Sequence, residues 1–161
     1  MNHRKVLILR HGEALQQNFT DFERPLTEAG RKEIASTADQ LQMDYPIAID
    51  AVYASNAIRA KTSAELFLKA LQSTTQIQVV EKFYHADLQY FRDFLATRDS
   101  DESTILLVGH NPILSEFATY LTGQSINLRT GELALLNCEQ QVWSQLIFPK
   151  AFDLLDLISP L

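Results

Sequence analysis

The chain has 161 residues, of which 46% are hydrophobic and 21% charged, and its formal net charge is −6. This length and composition predict one globular domain over residues 1–161 and exclude a charge-driven disordered chain, which would be poorer in apolar residues. The acidic balance argues against a general nucleic-acid binder, because such proteins depend on a basic surface. The single Cys138 cannot form an internal disulfide, which is typical of a reducing compartment.

The N-terminal segment contains only a short apolar run. Val6–Leu9 is followed at once by Arg10 and His11. A signal peptide needs a longer apolar region, and a membrane span needs about 20 residues. We therefore expect a cytoplasmic protein with no membrane partner, and the run itself predicts a first strand that is buried on both faces.

The next part of the chain alternates between helix and strand patterns. Apolar residues recur at helical spacing after Thr27, which is a suitable N-cap, whereas short apolar runs predict strands. The predicted helices are Thr27–Met43, Ala57–Leu71, Asp87–Thr97 and Ile113–Leu121, and the further strands are Asp50–Ala54, Ile77–Val80 and Thr104–Val108. This alternation predicts an α/β fold with a mostly parallel central sheet and helices on both faces.

The last third of the chain has a different pattern. Gly131–Asn137 and Val142–Phe148 predict two strands, joined by the polar residues Glu139–Gln141. The sequence therefore predicts a C-terminal hairpin that adds antiparallel pairing at an edge of the sheet. The tail, Ala151–Leu161, is apolar enough to pack on the body of the protein.

Unusual polar residues follow three of the predicted strands. Arg10 and His11 follow the first strand, Ser55 and Arg59 follow the second, and His110 follows the fourth. Ligands of open α/β sheets bind beyond the carboxyl ends of the strands, so we expect these side chains to converge on one crevice. Arginine forks match phosphate oxygens, and a neutral histidine nitrogen can attack phosphorus. The cluster predicts a phosphoryl-transfer site that requires no metal and no other cofactor.

Each motif also has a purely structural interpretation when it is taken alone. An Arg-His pair after a strand is common in surface loops, Gly109–Pro112 could open a helix, and Arg59 could be a solvated helix residue. A zinc site is the chemical alternative for two histidines with carboxylates. We consider it weaker, because the sequence has no His-x-x-x-His or Cys pair and Arg10 beside His11 would repel a cation.

Four motifs, in this order, resemble those of the histidine phosphatase superfamily, also called the phosphoglycerate-mutase-like family. They are Arg10-His11-Gly12-Glu13, Arg24-Pro25-Leu26-Thr27-Glu28-Ala29-Gly30, Ser55-Asn56-Ala57-Ile58-Arg59-Ala60-Lys61-Thr62 and Gly109-His110-Asn111-Pro112. In the third motif, Thr62 lies one place earlier than the family pattern has it. The compact length and the segments Tyr84–Ala86 and Thr130–Gly131 are similar to the SixA-like branch of phosphohistidine phosphatases.

The resemblance implies roles for individual residues. His11 would be the nucleophile that becomes phosphorylated, Arg10 and Arg59 would bind the phosphoryl group, and His110 would complete the pocket. The residues expected to bind substrate are Arg24, Ser55 and Asn111, although Arg24 could instead lie at the rim of the pocket and Ser55 could instead fix the loop that carries Arg59. His3 and His85 match no catalytic position of the family: we interpret His3 as a tail residue and His85 as a packing or rim residue.

The acidic proton donor that many family members carry is not evident. They place it after the third strand, and here that segment is Glu81–Asp87, which lacks the family motif. Asp87, Glu81, Asp21 and Glu13 are all conceivable donors. A phosphohistidine substrate weakens the demand for a donor, because imidazole is a better leaving group than an alkoxide.

The function implied by the resemblance is hydrolysis of phosphohistidine through a phospho-His11 intermediate. The partner would be a phosphorylated protein, such as a phosphotransfer domain, because the short chain leaves no room for a large cap over the crevice. The alternatives are a small-molecule phosphomonoesterase of the same superfamily and a non-catalytic module that binds phosphoproteins. The intact set of His11, His110, Arg10 and Arg59 argues against the non-catalytic module.

Overall fold

The computed structural model describes residues 3–139, 142–146 and 148–161 of the chain. The strands in this part of the chain are β1 (Arg4–Arg10), β2 (Ala51–Ser55), β3 (Ile77–Val80), β4 (Thr104–Gly109), β5 (Leu133–Cys138) and β6 (Asp153–Ile158). The helices are α1 (Glu28–Asp44), α2 (Ile58–Ala70), α3 (Leu88–Ala96) and α4 (Ile113–Thr122). Two short 3₁₀ turns span Glu81–Tyr84 and Trp143–Gln145.

One mixed sheet connects all of these strands, in the order β3-β2-β4-β1-β5-β6. The first four are parallel neighbours, whereas β5 pairs antiparallel with β1 and β6 pairs antiparallel with β5. The predicted α/β fold, with a mostly parallel sheet and antiparallel pairing at one edge, is confirmed. That residues 1–161 form one domain stays a prediction.

The two faces of the sheet carry separate hydrophobic cores. Val6 and Ile8 of β1 pack in the core that includes α3 and α4, while Leu7 and Leu9 pack in the core that includes α1 and α2. Successive side chains of a strand point to opposite faces, so a strand buried on both sides must be apolar at every position. The Val6–Leu9 part of β1 meets this requirement, and the strand leads directly into the motif that follows it.

The predicted hairpin is wrong in the position of its second strand. Val142–Phe148 does not form that strand: the described part of it contains the 3₁₀ turn, in which Trp143 and Leu146 are each 1% exposed. Buried residues three apart fit a helical turn and not the alternation of a strand. The strand that pairs with β5 is β6, within the tail expected only to pack. Of the predicted connection, Gln140 and Gln141 lie outside the described residues, as does Ile147.

Two glycines allow the loop after β1 to approach α1. A Cβ atom at Gly12 would lie 2.5 Å from the carbonyl oxygen of Gly30, and one at Gly30 would lie 2.1 Å from the carbonyl oxygen of Glu13. Both obstacles are backbone atoms, which cannot rotate away as a side chain can. The close approach therefore holds the residues after β1 against the start of α1.

We expect Gly30→Ala to lower the free energy of unfolding by about 3 kcal/mol, because its methyl group forces the loop and α1 apart. Gly109→Ala is the matched control, since its Cβ would meet only the Leu114 side chain at 3.5 Å. The control should cost less than about 1 kcal/mol. Urea unfolding of both variants measures the difference, and equal stabilities would contradict the role of the close approach.

Candidate active site

The carboxyl ends of β1 and β4 lie side by side at one edge of the sheet. Arg10 pairs in register with Gly109, and the backbone N–H of His11 donates to the Gly109 carbonyl at 3.1 Å. The rings of His11 and His110 are consequently neighbours, with their centroids 5.3 Å apart. The convergence of the two histidines, expected from the strand ends, is present.

His11 is buried and its ring has a defined orientation. Nδ1 lies 2.7 Å from the Gly12 carbonyl oxygen. A carbonyl only accepts, so Nδ1 carries the ring proton and Nε2 keeps its lone pair. The pKa of His11 is lowered to about 4, chiefly by burial and also by the nearby Arg59 and Arg10, against the opposing effect of the Gly12 hydrogen bond. His11 is therefore neutral at neutral pH, with a nucleophilic nitrogen at Nε2.

His110 stands beside this nitrogen and is also buried. Its Nε2 lies 2.8 Å from Ser55 Oγ, which also accepts the Ala57 N–H at 3.3 Å. Burial lowers the pKa of His110 to about 3, and His11 and Arg59 act in the same direction. Its Nδ1 has no hydrogen-bond partner among the described residues. A Ser55 hydroxyl that donates to Nε2 leaves the ring proton on Nδ1, where it is available to a bound anion.

Arg59, on the first turn of α2, joins the nucleophile to the loop between β1 and α1. Its Nε–H donates to His11 Nε2 at 3.3 Å. Its Nη1 donates to the Asp21 carbonyl at 2.6 Å, and its Nη2 to Asp21 Oδ2 at 3.1 Å. Arg59 is only 6% exposed, and these contacts fix the plane of its guanidinium next to the nucleophilic nitrogen.

Arg10 and Asn111 share one backbone acceptor. Arg10 Nη1 donates to the Leu128 carbonyl at 3.0 Å, and Asn111 Nδ2 donates to the same oxygen at 2.6 Å. Asn111 Oδ1 accepts both the N–H and the hydroxyl of Ser115. The amide group of Asn111 is thus already paired within the protein, whereas the Nε of Arg10 is buried without a partner among the described residues.

Arg24 lies at the rim of the crevice, where the sequence predicts a substrate-binding residue. Its Nε donates to the Leu15 carbonyl at 2.6 Å, and its Nη1 donates to Asp21 Oδ1 at 3.0 Å. Ser55, in contrast, does not line the crevice but stands behind His110. This position favours an orienting role for Ser55 over direct contact with phosphate.

Apart from Ser55, these side chains line one crevice of about 440 Å³. It is lined by Arg10, His11, Gln16, Asp21, Arg24, Arg59, Tyr84, His85, His110 and Asn111. Arginine forks and ring N–H groups bind the oxygens of a phosphoryl group, and a neutral ring nitrogen can form a bond to its phosphorus. The crevice therefore has the donors and the nucleophile that phosphoryl transfer requires.

Of the four carboxyls considered as proton donors, Asp21 is the one that lines this crevice. Its pKa is held well below the usual range, chiefly by the hydrogen bond from Tyr84 and by its contacts with Arg24 and Arg59. Glu13 accepts the Thr27 hydroxyl at 2.8 Å, and Asp87 caps α3 by accepting the Tyr90 N–H at 2.9 Å. Glu81 and Asp87 line a separate hollow that shares His85 with the crevice.

Residues 6–92 match the family model of the histidine phosphatase superfamily (branch 1). The match covers more than half of the chain and includes three of the four motifs. The chain belongs to the histidine phosphatase superfamily. Membership in a superfamily of phosphatases supports phosphatase activity for this chain and implies a phosphorylated substrate.

Two curated proteins are similar in sequence to this chain. An uncharacterised chloroplast protein of Arabidopsis thaliana is 27% identical over 180 aligned positions, which cover 98% of this chain and 78% of that protein. The mitochondrial serine/threonine-protein phosphatase Pgam5 of Drosophila ananassae is 36% identical over 69 residues, 43% of this chain and 24% of that protein. Relatives thus occur in organelles, so a cytoplasmic location for this histidine phosphatase stays a prediction.

Solved structures show the same fold at low sequence identity. The protein histidine phosphatase SixA in complex with tungstate has a TM-score of 0.83, with 22% identity and 97% coverage of both chains. SixA of Agrobacterium tumefaciens has a TM-score of 0.81, with 24% identity and 98% coverage of both. A mycobacterial glucosyl-3-phosphoglycerate phosphatase reaches 0.65, with 12% identity and coverage of 94% of this chain and 98% of that one. The fold is SixA-like and is shared by phosphatases with other substrates.

The sequence motifs did not identify every side chain of the crevice in this histidine phosphatase. Gln16 and Tyr84 line it although no site role was predicted for them, and His85, interpreted from the sequence as a packing or rim residue, lines it as well. Tyr84 and His85 follow β3 after one 3₁₀ turn, so the rule that sites lie beyond strand ends could have found them. Gln16 has no such signal, because its place depends on the path of the loop after β1.

Two negative findings concern metal ions and membranes. Within residues 3–139, 142–146 and 148–161, no three His, Cys, Asp or Glu side chains cluster closely enough to hold a metal ion. None of the helices in the same part of the chain combines the length and hydropathy needed to cross a membrane.

Proposed function

We propose that this chain hydrolyses phosphohistidine in a protein, with His11 as the nucleophile. The observation that carries the proposal is the state of His11: a buried neutral ring whose Nδ1 is held by the Gly12 carbonyl and whose Nε2 faces Arg59. Without substrate this lone pair accepts the Arg59 Nε–H. An incoming phosphoryl group replaces that hydrogen bond: its oxygens bind the guanidinium, and its phosphorus meets the lone pair, whose direction is fixed.

The first step transfers the phosphoryl group to the enzyme. The lone pair of His11 Nε2 forms a bond to phosphorus while the P–N bond of the substrate breaks, and its electron pair returns to the substrate imidazole. A substrate ring that is protonated at its other nitrogen then leaves as a neutral imidazole. Arg10 and Arg59 hold the oxygens during transfer, and His110 Nδ1 offers a further donor.

The second step regenerates His11. The oxygen of a water molecule forms a bond to phosphorus, the bond between phosphorus and His11 Nε2 breaks, and its electron pair returns to the ring. Dihydrogen phosphate leaves with both hydrogens of the water, and His11 is again neutral with its proton on Nδ1. Both steps need a positive environment around the phosphoryl oxygens, which the buried Arg59 and the half-buried Arg10 supply.

The absence of a protonated carboxyl among the described residues lining the crevice supports phosphohistidine over a phosphate monoester. Asp21 is ionised at neutral pH, since Tyr84, Arg24 and Arg59 all stabilise its charged form. An alkoxide leaving group needs a proton in the transition state, whereas an imidazole that is already protonated at its distal nitrogen does not. The proposed partner is therefore a phosphorylated protein such as a phosphotransfer domain.

A comparison of substrates tests the proposal. The purified chain would be assayed on a phosphohistidine-bearing phosphotransfer domain, on a sugar phosphate and on p-nitrophenyl phosphate, each with and without EDTA. We expect kcat/KM for phosphohistidine to exceed that for the sugar phosphate by about 100-fold or more, which is the usual contribution of a general acid. EDTA should have no effect.

Two outcomes would contradict the proposal. Efficient hydrolysis of the sugar phosphate alone would favour a small-molecule phosphomonoesterase of the superfamily. Loss of activity in EDTA would overturn the proposed chemistry, in which arginine and histidine side chains hold the phosphoryl oxygens.

A further inference from the structure

Asp21 makes a set of contacts that a proton donor would not make. Its Oδ1 accepts from Arg24, and its Oδ2 accepts from Arg59 and from the hydroxyl of Tyr84. The ring of Tyr84 lies edge-on to that of His110, with the centroids 5.5 Å apart. The carboxylate thus forms part of the same crevice as the nucleophile, through an arginine that contacts both.

One acceptor position of this carboxylate is still open. Two carboxylate oxygens offer about four lone-pair positions, and the described contacts use one on Oδ1 and two on Oδ2. The Asp21 side chain is 57% exposed, despite its two salt bridges. A group that enters the crevice from solvent can therefore reach Oδ1.

The substrate ring must pass this position. His11 and His110 are buried at 7% and 8% exposure, so a phosphoryl group reaches His11 with its leaving group on the solvent side. The residues on that side include Asp21, Tyr84 and His85. A phosphorylated imidazole that is protonated carries an N–H on the ring nitrogen not bonded to phosphorus, and it needs an acceptor as it enters.

We propose that Asp21 is a specificity-determining catalytic residue whose carboxylate accepts this N–H and so binds phosphohistidine in its protonated form. The inference rests on the proposed function. The proton stays on the distal nitrogen throughout: the P–N bond breaks, its electrons return to the ring, and the ring leaves as neutral imidazole. Asp21 neither gives nor takes a proton, which agrees with its ionised state.

The same carboxylate predicts selection against negatively charged leaving groups. Phosphoglycerates and sugar bisphosphates bring a further negative charge to the rim, where the carboxylate repels it. The groups facing Asp21 are Arg24 on its own loop, Arg59 on α2 and Tyr84 on the 3₁₀ turn, and the Asp21 charge also acts electrostatically on His110. The pKa of Tyr84 is raised by Asp21 and that of His110 is lowered to about 3. Neither Tyr84 nor His110 therefore changes its protonation near neutral pH, whereas the ring of a phosphohistidine substrate can.

Asp21→Asn tests the inference, because it keeps the shape and an oxygen acceptor but removes the charge. We expect kcat/KM for phosphohistidine to fall about tenfold or more, as for loss of a charge-assisted hydrogen bond. The pH above which kcat declines, which reports the protonation of the bound ring, should move to lower values. The substitution also weakens the contacts that hold Arg59 and Arg24, so hydrolysis of p-nitrophenyl phosphate and inhibition by tungstate should weaken as well. Because neither involves a cationic ring, their loss should be smaller, and the ratio of kcat/KM for phosphohistidine to that for p-nitrophenyl phosphate should fall about threefold or more.

Two further variants complete the experiment. Glu23→Gln removes the same charge from the same exposed loop outside the crevice and should leave both substrates unchanged. Asp21→Glu retains the charge and should keep the preference for phosphohistidine. An equal loss on both substrates in Asp21→Asn would show that Asp21 only positions the arginines, and an unchanged ratio would likewise overturn the inference while the proposed function stands. A wild-type chain inactive on phosphohistidine would overturn both.

Discussion

Substitution of His11 by alanine is expected to reduce phosphohistidine hydrolysis by at least about 10⁴-fold, because it removes the atom that forms the covalent bond. His11 Nε2 is the nucleophilic nitrogen whose direction is fixed by the Gly12 carbonyl on the opposite side of the ring. The wild-type protein should also form an acid-labile phosphoenzyme that is absent from the variant. Rapid-quench labelling with a phosphorylated substrate measures both effects.

His3→Ala is the matched control for this prediction. His3 is exposed and lies outside the crevice, so its replacement should leave turnover unchanged. Thermal unfolding of both variants separates loss of the nucleophile from loss of the fold. Full turnover by a folded His11→Ala protein would show that another group attacks phosphorus.

The second large effect is expected at Arg59. Replacement by alanine removes the donor next to His11 Nε2 and leaves the Asp21 carboxylate without one of its two arginines. Both changes make the crevice less positive, so kcat/KM should fall about 10³-fold, as it does on removal of a preorganised donor. Tungstate should bind much more weakly. Arg59→Lys keeps the charge but lacks the planar fork, so its activity should lie between those of the wild-type protein and Arg59→Ala.

Lys69→Ala controls for the loss of a positive charge from α2. Lys69 is exposed in the last turn of that helix, far along it from Arg59. Its replacement should leave kcat/KM unchanged. If Arg59→Ala retained wild-type kcat/KM and tungstate affinity, the phosphoryl group would have to be held by other donors.

Much of the fold follows from patterns that are local in the sequence. The uninterrupted apolar run of β1 requires cover on both faces, and Thr27 caps α1 by accepting the Gly30 N–H. Such signals lie within a few residues of the element that they define, so they can be read without the fold. The strand that pairs with β5 could not be read this way, because Trp143 becomes buried by contacts with residues far away in the chain, such as the Glu102 carbonyl that accepts its indole N–H.

The site likewise has features that the sequence predicts and features that it does not. His11 and His110 could be predicted because each follows a central parallel strand, and parallel strands end at the same edge of a sheet. Asn111 faces the crevice as expected, but its amide is paired with Ser115 in α4 and with the Leu128 carbonyl. The position of Leu128 depends on the path of the chain beyond α4. Residue type and position along a strand therefore predict location better than they predict which hydrogen bonds are still open.

The net charge of −6 illustrates what the sequence by itself could and could not determine. It argued against a basic face, and the order of the motifs identified the few cations that could hold one phosphoryl group. Only the tertiary structure decided what surrounds them: Asp21 contacts Arg59, 38 residues away, and Tyr84, 63 residues away. Those contacts depend on the path of an exposed loop over the sheet edge, which no local pattern encodes. They turn a conceivable proton donor into an ionised acceptor, because the charge of a carboxyl is set by its neighbours in space.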